Sequence, residues 1–147
     1  MAKPNEEADA GVLADIERFE ESFFPKAKPH PKDNSYWWFA YDRAKDEPIG
    51  YAGLDVLDGE GIGILCRSGV MPEYRGLGIQ KRFILARERM ARRLGLEEMQ
   101  AIVKYQRPLR FENAVSANNL ISRGYRLFVP NSQEGRRCDF LYFRKRL

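Results

Sequence analysis

The chain has 147 residues, 44% of them hydrophobic, with a formal net charge of +4, and no repeat or low-complexity segment divides it. That length can bury one substantial core, so we expect a single domain over residues 1–147. No apolar run approaches the roughly 20 residues of a membrane-spanning helix and the acidic start lacks a signal-peptide core, so we expect a cytoplasmic protein without a membrane partner.

The first predicted element is an amphipathic helix over residues 9–23, where apolar side chains recur at helical spacing. Residues 24–34 contain three prolines, which disfavour regular structure and predict a mobile loop. Loops of this kind often carry specificity.

Three strands follow. Residues 36–41 are apolar on both alternating faces, as expected for a strand covered on both sides. A polar turn over 43–47 joins them to the apolar run 49–56, which predicts a β-hairpin. A third strand is predicted over 62–70, where Gly63 and Gly69 favour a β-bulge.

The most informative stretch is 70–81, V-M-P-E-Y-R-G-L-G-I-Q-K, where a strand ends in a glycine-bearing turn that opens a helix. The first N–H groups of a helix lack internal partners and carry about half a positive charge, which suits a phosphate. Gly76 and Gly78 allow close approach of such a group and can take positive φ. The spacing fits neither the P-loop nor the dinucleotide fingerprint. Without a ligand, it would be an ordinary strand-to-helix connection with a capping glycine.

The helix opened by this turn is predicted over 78–94 and ends at Gly95. Its basic residues, Arg87 among them, are predicted to lie outside one apolar stripe. That stripe comprises Ile79, Phe83, Ala86, Met90 and Leu94.

The remaining elements are shorter. Strands are predicted over 99–105, 125–129 and 138–143, before a basic end at 144–146. Between the first two lies a helix with Asn113 as its N-cap and Gly124 as the left-handed residue that ends it.

Two of these motifs resemble those of the GNAT N-acetyltransferase superfamily. Arg75 and Gly78 fit its [QR]-x-x-G-x-[GA] pattern, although Gln80 replaces the final small residue. The helix from Asn113 to Gly124-Tyr125 fits the family's N-x-x-[AS] helix, which ends in Gly-[FY] at the same separation.

The resemblance implies an α/β fold with a mixed, mostly antiparallel central sheet, helices on both faces and two splayed strands in mid-sheet. Residues 1–8 are short and polar, so we expect the family's first strand to be missing or weak. The resemblance also implies acetyl-CoA as co-substrate, with its pyrophosphate on the turn amides and its pantetheine arm near Asn113. Gln80 is compatible with this only if its side chain points outward. The implied cofactor-binding residues are Ser68, Gly69, Val70, Arg75, Gly76, Leu77, Gly78, Ile79, Gln80, Lys81, Asn113 and Ser116.

The implied reaction is direct transfer of the acetyl group to an amine in a ternary complex, with a bulge N–H near Val70 supporting the oxyanion. Leu120 stands where many members have a tyrosine that protonates the leaving thiolate. Asp55 and Glu20 are conceivable bases, but solvation or capping explains each better, so we assign no catalytic side chain. The alternative is a coenzyme-binding or protein-interaction module that has lost turnover.

Other features limit the kinds of ligand and partner that we expect. They do not identify the acceptor, which could be a small molecule or a peptide. Cys66, Cys138 and the single histidine, His30, are a poor set for a metal site, and buried inert thiols explain the cysteines better. A polyphosphate coenzyme accounts for much of the positive charge, and no nucleic-acid module is recognised. Tyr142 and Phe143, taken as aromatic edge residues, allow a homodimer.

Basic side chains near the expected acceptor side mildly suggest an acceptor with a carboxylate or phosphate, although solvated surface residues are the commoner explanation. They are Lys26, Lys28, Lys32, Arg136 and Arg137.

Overall fold

The computed structural model describes residues 10–26, 35–104, 111–130 and 140–147. Within these ranges the chain forms three α-helices, six strands and one short 3-10 helix. Their order is α1 (Ala10–Phe23), β1 (Ser35–Asp42), β2 (Glu47–Leu57), β3 (Ile62–Val70), the 3-10 turn (Pro72–Tyr74), α2 (Ile79–Arg93), β4 (Glu98–Lys104), α3 (Phe111–Ser122), β5 (Arg126–Leu127) and β6 (Phe140–Arg146).

The six strands form one sheet in the order β1-β2-β3-β4-β6-β5. Every neighbouring pair is antiparallel except β3 and β4, which run parallel. The mixed, mostly antiparallel sheet and the β1–β2 hairpin are therefore confirmed. The expectations for residues 1–8, for most of the 24–34 loop and for Cys138 fall outside the described residues.

Helices cover both faces of the sheet, as predicted. On one face, Ile16 and Phe19 of α1 pack on Trp37 and Tyr51. On the other face, α2 and α3 share a second core cluster with β2, β4 and β6. Alternation along the strands assigns the two clusters to opposite faces, since Trp37 belongs to the first while its neighbours Tyr36 and Trp38 pack on the second.

Strands β3 and β4 pair over only four residues, from Ile62↔Glu98 to Leu65↔Ala101. Beyond that point β3 stays paired with β2 through Val70, while β4 stays paired with β6 through Lys104. The two strands therefore separate in mid-sheet, and a cleft opens between them. This is the splay that the family resemblance implied.

A β-bulge lies close to the start of the splay. The register of β2 and β3 shifts between Ala52↔Ser68 and Gly53↔Cys66, so Arg67 is the extra residue, and its φ is +32°. The expected bulge at Gly63 or Gly69 was therefore wrong.

Packing explains those two glycines instead. A Cβ at Gly69 would overlap the ring of Phe23 on α1, and one at Gly63 would lie 2.8 Å from Sδ of Met99. Both positions are occupied by glycine because a side chain there would overlap its neighbours, and not because the backbone is irregular.

The last strand also departs from expectation. It continues through the residues assigned to a basic end, and it lies between β4 and β5 rather than at an edge. Phe143 is only 1% exposed and belongs to the core. Tyr142 and Phe143 are therefore not edge residues, because this strand has a neighbour on each side.

Helix α2 buries a different face from the one predicted. Phe83 is buried as expected, but Leu94 is 39% exposed. The apolar pattern predicted the wrong buried face because two charged residues, Arg87 and Glu88, lie on the buried side. The buried residues of the helix are Phe83, Ile84, Arg87, Glu88 and Ala91.

Glu88 connects three elements of the fold from within. Its carboxylate accepts hydrogen bonds from Nη2 of Arg123 at 3.0 Å and from Nζ of Lys145 at 2.9 Å. Burial alone would raise the pKa of Glu88, but the hydrogen bonds from Lys145 and Arg123 hold it below the ordinary 4.5. The carboxylate thus ties α2 to the end of α3 and to β6.

We expect Glu88→Gln to lower the free energy of unfolding at pH 7 by about 2 to 3 kcal/mol, because two cations lose their charged partner. Since the folded pKa is depressed, this contribution exists above about pH 4.5 and is lost as the pH falls through the folded pKa. Urea unfolding from pH 7 down to about pH 3 should show the gap to wild type closing on the acid side. The exposed turn variant Glu60→Gln is the control, and an equal gap at every pH would contradict the assignment.

Candidate functional site

The turn before α2 presents its backbone to solvent. Gly76 and Gly78 have φ values of +80° and +75°, and the first hydrogen bond of the helix runs from the Arg82 N–H to the Gly78 carbonyl at 3.1 Å. Within the described ranges, the amides of residues 76–81 donate to no protein acceptor. The Arg75 amide donates to the Pro72 carbonyl at 3.2 Å and is therefore not one of the free donors. An anion seat of unpaired donors remains from Gly76 onward.

Side chains on the preceding turn fix the position of this loop. The Tyr74 hydroxyl donates to Asp42 of the β1–β2 hairpin at 2.7 Å, and Nε of Arg75 donates to the Val70 carbonyl at 3.1 Å. The hydrogen bond from Tyr74, followed by the one from the Ala44 amide, lowers the pKa of Asp42. The loop is thereby held to the hairpin and to the end of β3.

The space in front of the loop is open. A Cβ added at Gly76 or Gly78 would meet no atom within 4 Å. Both residues nevertheless have left-handed backbone, which strains any other residue by about 1 to 2 kcal/mol. A substitution at Gly78 therefore needs a control with the same strain.

The side chain of Gln80 bridges the two helices beside the cleft. Its Nε2 donates to Oγ of Ser116 at 3.0 Å, and its Oε1 accepts from Nδ2 of Asn119 at 3.0 Å. The side chain is thus held against α3 by two polar partners. No local sequence pattern indicated the contact with Asn119.

Helix α3 contacts the first turn of α2 through Ser116 and also carries the other predicted site residue, Asn113. It begins at Phe111, so Asn113 lies within its first turn and is not the N-cap. Asn113 and Ser116 are both half-buried. Gly124 has φ +87° and ends the helix as predicted. Leu120 is 5% exposed in the core, so packing accounts for it.

Residues 68–70 border the cleft on β3. They pair with β2, and no described strand pairs with their other edge. Oγ of Ser68 is buried and has no hydrogen-bond partner among the described residues. A backbone N–H on this edge is available to a ligand entering the splay.

A polar cluster lies across β3 from α2, on the side of α1. Glu20 contacts Nε of Arg67 at 3.0 Å and accepts a hydrogen bond from the Tyr51 hydroxyl at 3.3 Å. The Arg67 guanidinium lies 4.8 Å from the centre of the Phe24 ring. Burial, followed by the charge of Glu20, raises the pKa of Tyr51. Surface solvation does not describe Glu20, whose side chain is 15% exposed and held at the bulge.

Asp55 has a structural environment. It accepts hydrogen bonds from the hydroxyl of Ser35 and from Sγ of Cys66, the latter at 3.2 Å. Burial, followed by the Asp55 charge, raises the pKa of Cys66, which fits the predicted inert thiol. The Asp55 carboxylate therefore accepts hydrogen bonds from side chains of neighbouring strands, and neither surface solvation nor helix capping describes it.

Neither a metal centre nor a membrane span is found where the structure describes the chain. Residues 10–26, 35–104, 111–130 and 140–147 bring together no group of three or more His, Cys, Asp or Glu side chains that could hold a metal. None of their helices has the length and apolar character for crossing a bilayer.

Comparisons place this geometry among known proteins. Residues 6–109 match the model of the acetyltransferase (GNAT) family. No curated protein matches the sequence.

Solved structures share the fold at low sequence identity. A GNAT-family protein from Desulfovibrio desulfuricans is 16% identical, with a TM-score of 0.71 and 93% of each chain covered. Arabidopsis thaliana NAA60, solved with a bisubstrate analogue, is 17% identical, with a TM-score of 0.69 and 93% of each chain covered. The PaiA N-acetyltransferase of Thermoplasma acidophilum, solved with coenzyme A, is 16% identical, with a TM-score of 0.63 and coverage of 93% of this chain and 70% of that one.

The Gln80 bridge should stabilise the packing of α2 on α3. We expect Gln80→Ala to lower the free energy of unfolding by about 1 to 2 kcal/mol, because two half-buried hydrogen bonds are lost. Urea unfolding measures the change. Lys81→Ala, at the next and exposed position, should stay within about 0.5 kcal/mol of wild type. Equal effects of the two variants would show that the bridge adds nothing.

Proposed function

This chain belongs to the GNAT acetyltransferase family, and from that premise we propose that it transfers the acetyl group of acetyl-CoA to an amine by direct attack in a ternary complex. The observation that carries the proposal is the set of unpaired amides over residues 76–81. They follow directly on the strand that borders the splay, so one ligand could span both.

The proposed placement follows the order of the polar groups along the chain. The amides from Gly76 to Lys81 would hold the pyrophosphate, since they combine free donors with the positive end of the α2 dipole. Residues 68–70 would pair with the pantetheine arm along the open edge of β3. Asn113 and Ser116 would contact the arm from α3. The other proposed contacts are Arg75, Leu77, Gly78, Ile79 and Gln80.

Position supplies most of the proposed rate enhancement. Alignment of an amine with a thioester carbonyl can contribute about 7 to 11 kcal/mol through effective molarity. A backbone N–H on the open edge near the Arg67 bulge can support the developing oxyanion. Neither effect needs a special side chain, which agrees with the absence of a tyrosine at Leu120.

The acceptor amine is proposed to approach from the side of α1. Glu20 lies there beside the bulge, held by Arg67 and Tyr51. Its negative charge would attract an ammonium group and, through water, take the proton that the amine must lose. We therefore propose Glu20 as the acceptor-binding carboxylate.

A second candidate function is coenzyme binding without acetyl transfer. Leu120 in the core removes the family's usual proton donor, and Gln80 occupies the place of a small residue. Both favour a coenzyme-binding or protein-interaction module. Release of free thiol when amines, peptides and polyamines are offered with acetyl-CoA distinguishes the two, since a module would leave the thioester intact across the whole panel.

The first test of the site is coenzyme A binding by calorimetry, for which we expect micromolar affinity in the wild type. Gly78→Asp should weaken binding by at least about 10-fold, because a carboxylate would face the pyrophosphate. Gly59→Asp is the matched control, since Gly59 has φ +79° and open surroundings in the distant β2–β3 turn. Absence of wild-type binding, or equal affinity in the two variants, would refute the placement.

The acceptor side is tested with Glu20→Gln. We expect kcat/KM for an accepted amine to fall about 10- to 100-fold, because the carboxylate charge is removed, while coenzyme A affinity stays within about 2-fold. The adjacent and exposed Glu21→Gln is the control. Unfolding must be measured in parallel, because Arg67 loses a partner. A variant that is stable and fully active would exclude Glu20 from this role.

A further inference from the structure

The unusual group near the cleft is a fully buried arginine on α2. Arg87 is 2% exposed, and its Nη1 donates to the carbonyl oxygens of Gly53 at 3.0 Å and Cys66 at 3.4 Å. Its Nε donates to the Phe83 carbonyl one helical turn earlier at 3.1 Å. The guanidinium therefore contacts backbone oxygens on β2, on β3 and within its own helix.

The charge of Arg87 is not neutralised by an ion pair in the part of the chain that the structure describes. Its neighbour Glu88 directs its two oxygens to Arg123 and Lys145. Burial lowers the pKa of Arg87 to about 10, with smaller opposing effects from Cys66, Tyr125 and Glu88. The side chain is still a cation at neutral pH. A buried charge without a counter-ion is costly, and its electric field is screened less than that of a surface charge.

The cation lies behind the start of the splay. Leu65 is the last residue of β3 that pairs with β4, and the next residue, Cys66, is the one whose carbonyl Arg87 contacts. A ligand in the opening would lie about one strand spacing, roughly 4.8 Å, beyond β3, and therefore roughly 8 Å from the guanidinium behind that strand. At roughly 8 Å and an effective dielectric constant of about 20, a full charge shifts the pKa of a titrating group by about one unit or more.

We propose that Arg87 stabilises the negative charge on the coenzyme sulfur as the thioester breaks. This rests on the proposed function and gives the leaving thiolate an electrostatic partner in a chain that has Leu120 at the family's usual tyrosine. The amine nitrogen forms a bond to the carbonyl carbon, the C–S bond breaks, and its electron pair goes to sulfur. The amine proton passes through water to Glu20. Arg87 acts as a positioning residue through the backbone of β3 and transfers no proton.

The test is the thiol pKa of bound coenzyme A, followed through thiolate absorbance as the pH is raised. Bound desulfo-coenzyme A gives the background from the protein's own cysteines. In the wild type we expect the bound thiol to titrate about one unit or more below free coenzyme A. Arg87→Gln should lose most of that shift, while Arg87→Lys should keep at least about half of it. The α2 dipole acts on all three proteins, so their differences report the side-chain charge.

Arg89→Gln is the matched control, because Arg89 is exposed two residues further along α2 and should leave the shift unchanged. Acetyl transfer should show the same order, with kcat lowered at least about 10-fold in Arg87→Gln and KM for acetyl-CoA within about 2-fold of wild type.

The outcomes separate this inference from the proposed function. If wild type binds no coenzyme A, both fail. If coenzyme A binds but its thiol titrates like the free compound, or shifts equally in wild type and Arg87→Gln, only the role of Arg87 is overturned. Should Arg87→Gln not fold, the wild-type titration and Arg87→Lys still decide, since an unshifted wild-type thiol, or a shift that Arg87→Lys abolishes although it folds, contradicts the proposal.

Discussion

The constraint on which the cleft depends is the early end of pairing between β3 and β4. The two strands share four residue pairs, and beyond these each strand is paired only with its outer neighbour. Each strand keeps a full ladder on one side, so the sheet remains intact while one internal edge is left open. The Arg67 bulge adds local twist to β3 near this point, and the loop with free amides follows at the end of the same strand. The bulge, open edge and anion seat thus lie on one short stretch of chain.

Much of this architecture could be predicted from local sequence. The β1–β2 hairpin, the glycine turn before α2 and the Gly124 stop at the end of α3 each depend on residues that determine their own backbone. The family resemblance then implied the mixed, mostly antiparallel sheet, the helices on both faces and the splay. These features need no knowledge of distant contacts.

The failures have a common cause, which is that side-chain partners from distant elements cannot be seen in a local pattern. Arg87 was expected to lie outside the buried stripe of α2, yet it donates hydrogen bonds to carbonyls of the sheet. Glu88 is buried beside it because Arg123, just after α3, and Lys145 of β6 donate hydrogen bonds to its carboxylate. The helical spacing did indicate that Arg87 is buried, because it lies four residues from both Phe83 and Ala91 and therefore on the same face of the helix. The partners of Gln80 could not be foreseen for the same reason, since Ser116 and Asn119 lie on another helix.

The close packing of Phe23 on Gly69 connects the proposed coenzyme side of the cleft with the proposed acceptor side. Gly69 belongs to the edge proposed for the coenzyme arm, and the ring that fills its missing side chain belongs to the helix that carries Glu20. Any side chain at position 69 would have to displace the Phe23 ring, which lies at the end of the helix beside the proposed acceptor entrance. A smaller residue at 23 would be the compensating change. Acceptor size in related chains should follow this pair more closely than it follows the loops around the entrance.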